Sequence, residues 1–258
     1  MNLTQINREN REELLIYKQM RDNAFNLDNT FVADSSKVVN LILESTIKIK
    51  SIFATQEYYE KFKALIESKN IPKLYVATKE QMQDIVNHKV HHNVMLHGIR
   101  PKESRLEELD EQIIMLDNIT SSENVGSIAR SAVALGLGSY LLSTKSPHPF
   151  GRRALRVSMG YTSRLKIHQY SNLTETIKRL KSIGYTIFAA EITDNSTPLS
   201  KVSLPKKWVL LMGHEGHGIS EDILKLCDHI VHIEMEPNVK SFNVAVAASI
   251  IMYQFKQK

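Results

Sequence analysis

The sequence predicts an α/β protein whose larger, C-terminal part is a parallel sheet covered by helices on both faces. Three observations predict it. Short, continuous apolar runs such as IIML, YLL and WVLLM recur through the second half, as expected of strands buried on both faces. Amphipathic segments of helical period separate them. Polar loops rich in Gly, Asn and Ser follow several of the runs, which places candidate ligand loops at strand ends. A composition of 42% hydrophobic and 24% charged residues over 258 positions is that of an ordinary globular chain and excludes a mainly disordered one.

Taken in order, residues 9–25 carry Leu14, Leu15, Tyr17 and Met20 at helical spacing and predict an N-terminal helix. Phe31–Ala33 reads as a strand, and Ser35 or Ser36 caps a helix bearing Val38, Val39, Ile42 and Leu43. Ile49–Ala54 is a strand, 56–69 a helix, Leu74–Ala77 a strand, 79–86 a helix and Val94–His97 a closing strand. Pro101 and the charge run after it mark a linker over 101–111. Two domains follow, 1–100 and 112–258. In the second, Ile113–Leu116 and Tyr140–Leu142 are strands with a helix over 125–135 between them. Leu173–Ile183 is a helix that ends at Gly184. Thr186–Ala190, Trp208–Met212 and Ile230–Ile233 are further strands, and Asn243–Phe255 is a final apolar helix.

The single cysteine, Cys227, excludes a disulfide framework and a cysteine-built zinc site and fits a reducing compartment. No apolar run reaches the ~18 residues that span a bilayer, and the polar start MNLTQINRENREELL lacks a signal-peptide core. The expected location is the cytoplasm, with no membrane association. Charge is uneven. Residues 1–110 balance 16 basic against 16 acidic side chains, so the whole net +5 lies beyond them. Arg152, Arg153, Arg156, Arg164 and Lys166 occur there with no acid among them, a stretch suited to phosphate contacts or to a solvated face. His88, His91, His92 and His97 cluster in sequence without a carboxylate or thiol beside them, so no metal is expected.

Three segments carry chemistry. In LDNITSSENVGSIARSAVALGLGS, Asn124 stands at an expected N-cap, and Val125, Ile128, Ala129, Ala132 and Leu135 form one apolar stripe. Arg130 lies off that stripe. In VLLMGHEGHGIS, Gly213, Gly216 and Gly218 surround Glu215 at a strand-to-helix turn, where backbone can approach a ligand closely. Their G-x-x-G-x-G order is not the dinucleotide fingerprint G-x-G-x-x-G, and a P-loop lysine is missing. In IEMEPNVKSFNVAVAASIIMY, Ser241 or Asn243 opens a helix of small and β-branched residues.

At these segments the sequence resembles the SpoU/TrmH branch of the SPOUT RNA methyltransferases. The family's N-x-x-x-x-x-R motif matches Asn124 to Arg130. Its G-x-E-G-x-G-[IL]-S motif matches Gly213 to Ser220, and its S-[LF]-N-V-x-x-A motif matches Ser241 to Ala247, with Phe242 where leucine is usual. Ala154–Gly160 is similar to the stretch between the first two motifs. RDNAFNLDNTFVADSSKVV and VHHNVMLHGIRP resemble the substrate-binding module often attached to this branch, a small α/β fold that holds structured RNA.

The resemblance implies a C-terminal trefoil knot, S-adenosylmethionine bound among the knot loops, and a homodimer whose interface shapes the active site. It implies methylation of a ribose 2′-hydroxyl in rRNA or tRNA, rRNA being favoured; a non-catalytic RNA-binding or ribosome-assembly protein on the same fold is the alternative. Arg130 would hold the hydroxyl and its neighbouring phosphate, since a guanidinium is a poor base. Asn124 would orient Arg130 or the ribose, and Ser241 with Asn243 would hold the reacting centre. Glu215, Gly213, Gly216 and Gly218 would shape the cofactor loop, with adenine held near Ile233, Met235 and Val244. RNA would lie over Arg152, Arg153, Arg156 and Arg164.

Overall fold

The expected strands all form, most of them extended by a residue or two at an end. The computed structural model describes residues 3–6, 11–19, 25, 28–87 and 89–257. They fall into two units, Met1–Lys102 with Phe150–Ser163, and Glu103–Pro149 with Arg164–Lys258. Among the described residues no helix is long and apolar enough to cross a membrane.

In the first unit, β1 (Leu3–Gln5) precedes α1 (Arg11–Leu14), which runs into a 3-10 turn at Leu15–Lys18. The rest of the helix expected over 9–25 lies outside the described residues or in non-helical backbone. Then come β2 (Thr30–Asp34), α2 (Ser36–Glu44), β3 (Ile49–Thr55), α3 (Gln56–Glu67), β4 (Lys73–Ala77), α4 (Lys79–Val86) and β5 (Val94–Ile99). The sheet order is β1-β4-β3-β5-β2, with β1, β4 and β3 parallel and β5 antiparallel to both its neighbours. Thr55 and Thr78 cap α3 and α4 by accepting from the Tyr58 and Gln81 N–H groups. Leu14, Tyr17, Phe53, Tyr75 and Met95 fill the core on one face of the sheet.

The same unit takes in Phe150–Ser163, with its helix Arg152–Val157, which corrects the expectation of one continuous domain over 112–258. Phe150 packs on Phe31 with ring centroids 5.0 Å apart, and the backbone of Val38 lies against Gly160, whose φ is +85°. Asp34 receives Arg152 Nε at 2.8 Å and Arg156 Nη2 at 2.6 Å. The side chains of Asp34 and Arg152 are only 3% and 6% exposed. Arg152 is therefore structural, and its expected place on an RNA path is withdrawn. Arg156 is also held by Asp34 although its side chain is 40% exposed. Arg153 and Arg164 are exposed.

The second unit begins before the expected boundary. Residues 103–111 are packed rather than a free linker: Ser104 N–H donates to the Ile167 carbonyl, and Glu107 pairs with Arg179. The unit comprises β6 (Gln112–Leu116), α5 (Ser122–Ala134) and β7 (Ser139–Ser143); the Arg152–Val157 helix, α6, belongs to the first unit. After it follow β8 (Lys166–Tyr170), α7 (Leu173–Ser182), β9 (Thr186–Ala190), β10 (Thr197–Pro198), β11 (Trp208–Met212), α8 (Glu221–Leu224), β12 (His229–His232) and α9 (Val244–Lys256). The seven strands are all parallel, in the order β10-β12-β9-β11-β6-β7-β8. β7 and β11 are buried throughout and β6 from Ile113 onward, as their apolar runs require. Two buried tyrosines brace the unit: Tyr140 Oη donates to the Val125 carbonyl in α5, and Tyr170 Oη on β8 to the Leu116 carbonyl at the end of β6. Helix α9 packs on α5, where Ser249 Oγ donates to Ser131 Oγ at 2.7 Å.

Candidate active site

Four loops leave the carboxyl ends of the adjacent strands β12, β9, β11 and β6, the edge at which parallel sheets bind ligands. The loop after β6 ends in α5. The N-cap is Ser121, whose Oγ accepts from the Asn124 N–H, so Asn124 is the third residue of the helix and not its cap as expected. That position frees its side chain. Asn124 Nδ2 donates to Glu215 Oε1 at 3.0 Å, and Asn124 Oδ1 accepts from Asn243 Nδ2 at 3.2 Å. Asn243 is the N-cap of α9, with its Oδ1 on the Ala245 and Val246 N–H groups. Asn124 thus links two loops that stand 91 and 119 residues further along the chain.

Glu215 receives four donors: Thr120 N and Oγ1, Ser121 N and Asn124 Nδ2, at 3.0–3.3 Å. Burial alone would raise its carboxyl pKa, but the hydrogen bonds from Asn124, Thr120 and Ser121 outweigh it and hold the group below the ordinary glutamate value. An anion there also complements the positive end of α5. Nearby, Asp117 directly follows β6, and burial pushes its carboxyl up. The Gly213–Gly218 turn is closed on itself. His214 and Gly218 exchange backbone hydrogen bonds, and His214 Nδ1 accepts from the Gly216 N–H. His214 also stacks on His217 at 4.9 Å, so His214 shapes the turn.

These loops enclose a cavity of about 760 Å³, within the usual range for small-molecule sites of roughly 300–1,000 Å³. Its walls include Gly213, Glu215, Gly216, Gly218, Ile233, Met235, Ser241, Asn243 and Val244, every residue expected at the cofactor and two of the four expected at the reacting centre. Asn124 reaches the cavity through Glu215 and Asn243. Arg130 is exposed on α5 and does not line it. Reading the sequence alone overlooks Thr120, Ser121 and Glu191; the first two act through backbone or short hydroxyl donors, which no residue pattern marks. Among the described residues no group of three or more His, Cys, Asp or Glu side chains could hold a metal. His88 lies outside the described residues, and burial drops the pKa of His97 to about 4.

Gly218 has φ +62°, and a Cβ there would collide with the Glu191 carboxylate. Gly218→Ala therefore loses on backbone strain and on space together, about 1–3 kcal/mol. The expected result is a lower unfolding midpoint, read by thermal denaturation; an unchanged midpoint would show that the turn relaxes freely.

The cavity fits a nucleoside-containing cofactor in this structure's own terms. Its apolar residues suit a planar ring, and a Cβ on Gly213 would stand 2.7 Å from the Gly218 carbonyl carbon, so the turn closes only around glycine. Comparison with known proteins agrees with the geometry. The chain is 30% identical over 146 residues to a Staphylococcus haemolyticus protein assigned to the TrmH family of tRNA/rRNA methyltransferases. The match covers 57% of this chain and 58% of that protein, less than two thirds of its length. The fold is shared with the AdoMet-bound rRNA methyltransferase from Sinorhizobium meliloti (TM-score 0.83, 20% identity, 99% of this chain and 98% of that one). It is shared too with a protein described as an RNA 2′-O ribose methyltransferase (TM-score 0.76, 16% identity, 100% and 98%). The sequence model of the SpoU rRNA Methylase family matches residues 111–253, more than half of the chain and all three motif loops, and the chain belongs to that family.

Proposed function

We propose that the chain is an S-adenosylmethionine-dependent RNA methyltransferase that modifies a ribose 2′-hydroxyl, with rRNA favoured over tRNA as substrate. The observation that carries this reading is the convergence of Asn124, Glu215 and Asn243 beside one cavity at the sheet's carboxyl edge. Family membership and the rRNA and 2′-O activities named for the two structural relatives support it. Bound in the cavity, the cofactor supplies an electrophilic methyl group on a sulfonium. Ile233, Met235 and Val244 would hold the adenine, and the Gly213–Gly218 turn, fixed by Glu215, would wall the cofactor site. Ser241 and Asn243 orient the reacting ribose. Arg130 holds the hydroxyl and the adjacent phosphate, stabilising the oxyanion as it develops. The hydroxyl proton passes to a phosphate oxygen of the RNA or to water. Alignment of the two reactants can supply about 7–11 kcal/mol of the barrier.

In the same reading the C-terminal segment is threaded as a trefoil knot, and two copies pair so that Arg130 enters its partner's site. The exposure of Arg130 away from its own cavity supports that arrangement, as does the apolar surface of Val246 and Tyr253 on α9. The N-terminal unit selects the RNA, with its Arg153 as a phosphate contact, and Arg164 of the second unit serves as another. The reducing cytoplasm, favoured by the lone Cys227, is the proposed compartment.

Incubation with methyl-labelled cofactor and with rRNA and tRNA in parallel tests the activity. Label is expected at a ribose 2′-oxygen of rRNA, where it resists alkaline cleavage of the adjoining bond. RNA binding with no transfer to any RNA would instead support the non-catalytic alternative.

A further inference from the structure

Among the described residues two carboxylates line the cavity, Glu191 and Glu215. Glu215 is committed to four donors at the start of α5. Glu191, directly after β9, is not part of the proposed chemistry, yet it is held firmly. Its Oε2 accepts from the Ile219 N–H at 2.9 Å and its Oε1 from the Ile192 N–H at 3.1 Å. A carboxylate has about four acceptor positions, so two remain open on a side chain that already faces the cavity.

The order of strands fixes what those positions meet. From β12 across β9 and β11 to β6, the sheet edge presents Ile233 and Met235, then Glu191, then the Gly213–Gly218 turn, then Asn124. The Glu191 N–H continues the ladder to the Val231 carbonyl at 3.1 Å, which sets the residue between the apolar wall and the Asn124–Glu215–Asn243 cluster. A sulfonium nucleoside has the same succession of parts: a purine, a ribose with two vicinal hydroxyls, then the sulfonium. With the purine on the apolar wall and the methyl group toward the cluster, the ribose would lie opposite Glu191. A carboxylate accepting both hydroxyls is the common chemistry of ribose recognition at the edge of a parallel sheet.

We propose that Glu191 binds the ribose hydroxyls of the cofactor's nucleoside while bracing the Gly218–Ile219 backbone, so that cofactor recognition and closure of the glycine turn share one side chain. The proposal rests on the reading that this cavity takes S-adenosylmethionine. The competing partner for the open acceptor positions is the ammonium of the cofactor's amino-acid tail, and strand order disfavours it because that end lies beyond the sulfonium.

Calorimetric titration of the full chain tests it with three ligands: S-adenosylhomocysteine, its 2′,3′-dideoxyribose analogue, and 5′-deoxy-5′-methylthioadenosine, which keeps the ribose but lacks the amino-acid tail. Hydrogen bonds to a charged group predict that the wild type binds the dideoxy analogue about tenfold or more weakly than S-adenosylhomocysteine. In Glu191→Gln that ratio should fall toward one, while the weakening caused by removing the tail stays as in the wild type. Equal wild-type affinity for the two ribose forms overturns the proposal without any variant. So does a Glu191→Gln protein that keeps the full ratio, or one in which the tail effect disappears instead. A wild type that binds no S-adenosylhomocysteine at all ends the cofactor reading itself, which separates the two failures.

Discussion

Mixing Arg130→Ala chains with Asn243→Ala chains should restore methyl transfer that neither variant retains alone. In the proposed mechanism Arg130 stabilises the developing oxyanion and Asn243 orients the ribose, and losing one such polar group typically costs about 10²–10³ in rate. The two residues differ in where they stand. Asn243 lines the cavity and donates to Asn124. Arg130 lies six residues after Asn124 on α5, roughly 120° away around the helix, exposed and outside the cavity walls. If Arg130 acts on a partner's site, a mixed dimer has one site with both residues and one with neither. Random exchange makes half the dimers mixed, so about a quarter of the wild-type rate should return. Light scattering establishes the dimer, and separate tags on the two chains verify exchange. Mixed dimers that stay inactive would place Arg130 in its own chain's chemistry, and a chain that is monomeric at working concentration would dismiss the partner's contribution altogether.

The sequence made the second sheet legible because its strands are buried on both faces and therefore continuous in apolar residues; β6, β7, β9 and β11 stand within a residue of expectation. β8 was not expected, since KIHQY carries polar residues on an edge strand, and β10 is only two residues long and contains Pro198. The candidate site was legible where a residue type is itself the signal: glycines around Glu215, and an asparagine opening α9. Its wiring was not. That Asn124 joins Glu215 to Asn243 depends on Ser121 taking the cap, a competition between neighbouring polar residues that spacing does not settle. The arginine-rich stretch misled for a related reason. Charge was counted along the chain, while the acid that neutralises Arg152 stands 118 residues earlier.

Asp34→Ala should be the most destabilising single substitution in the first unit. The carboxylate accepts from Arg152 Nε, Arg156 Nε and Arg156 Nη2, and Arg152 Nη1 also donates to the Gln19 carbonyl at 3.3 Å. Removing the acid leaves the Arg152 guanidinium almost wholly buried beside a second cation, and breaking a buried pair from one side costs about 3–5 kcal/mol. The unfolding midpoint should fall by roughly 10 °C or more. Arg153→Glu, on an exposed side chain of the same helix, should lower the midpoint far less than Asp34→Ala and weaken RNA binding with a shallower salt dependence. Acidity gives an independent check. Burial alone would raise the Asp34 carboxyl, but Arg156 and Arg152 outweigh it and hold the group below the ordinary aspartate value. A group whose folded pKa is depressed stabilises fully above its unfolded pKa, about 3.9. That contribution is lost as pH falls through the lower folded value. The gap in midpoint between wild type and Asp34→Ala should therefore hold from pH 7 to about 5 and close below about 4. A gap that persists into stronger acid would mean that the side chain stabilises by packing, not by its charge.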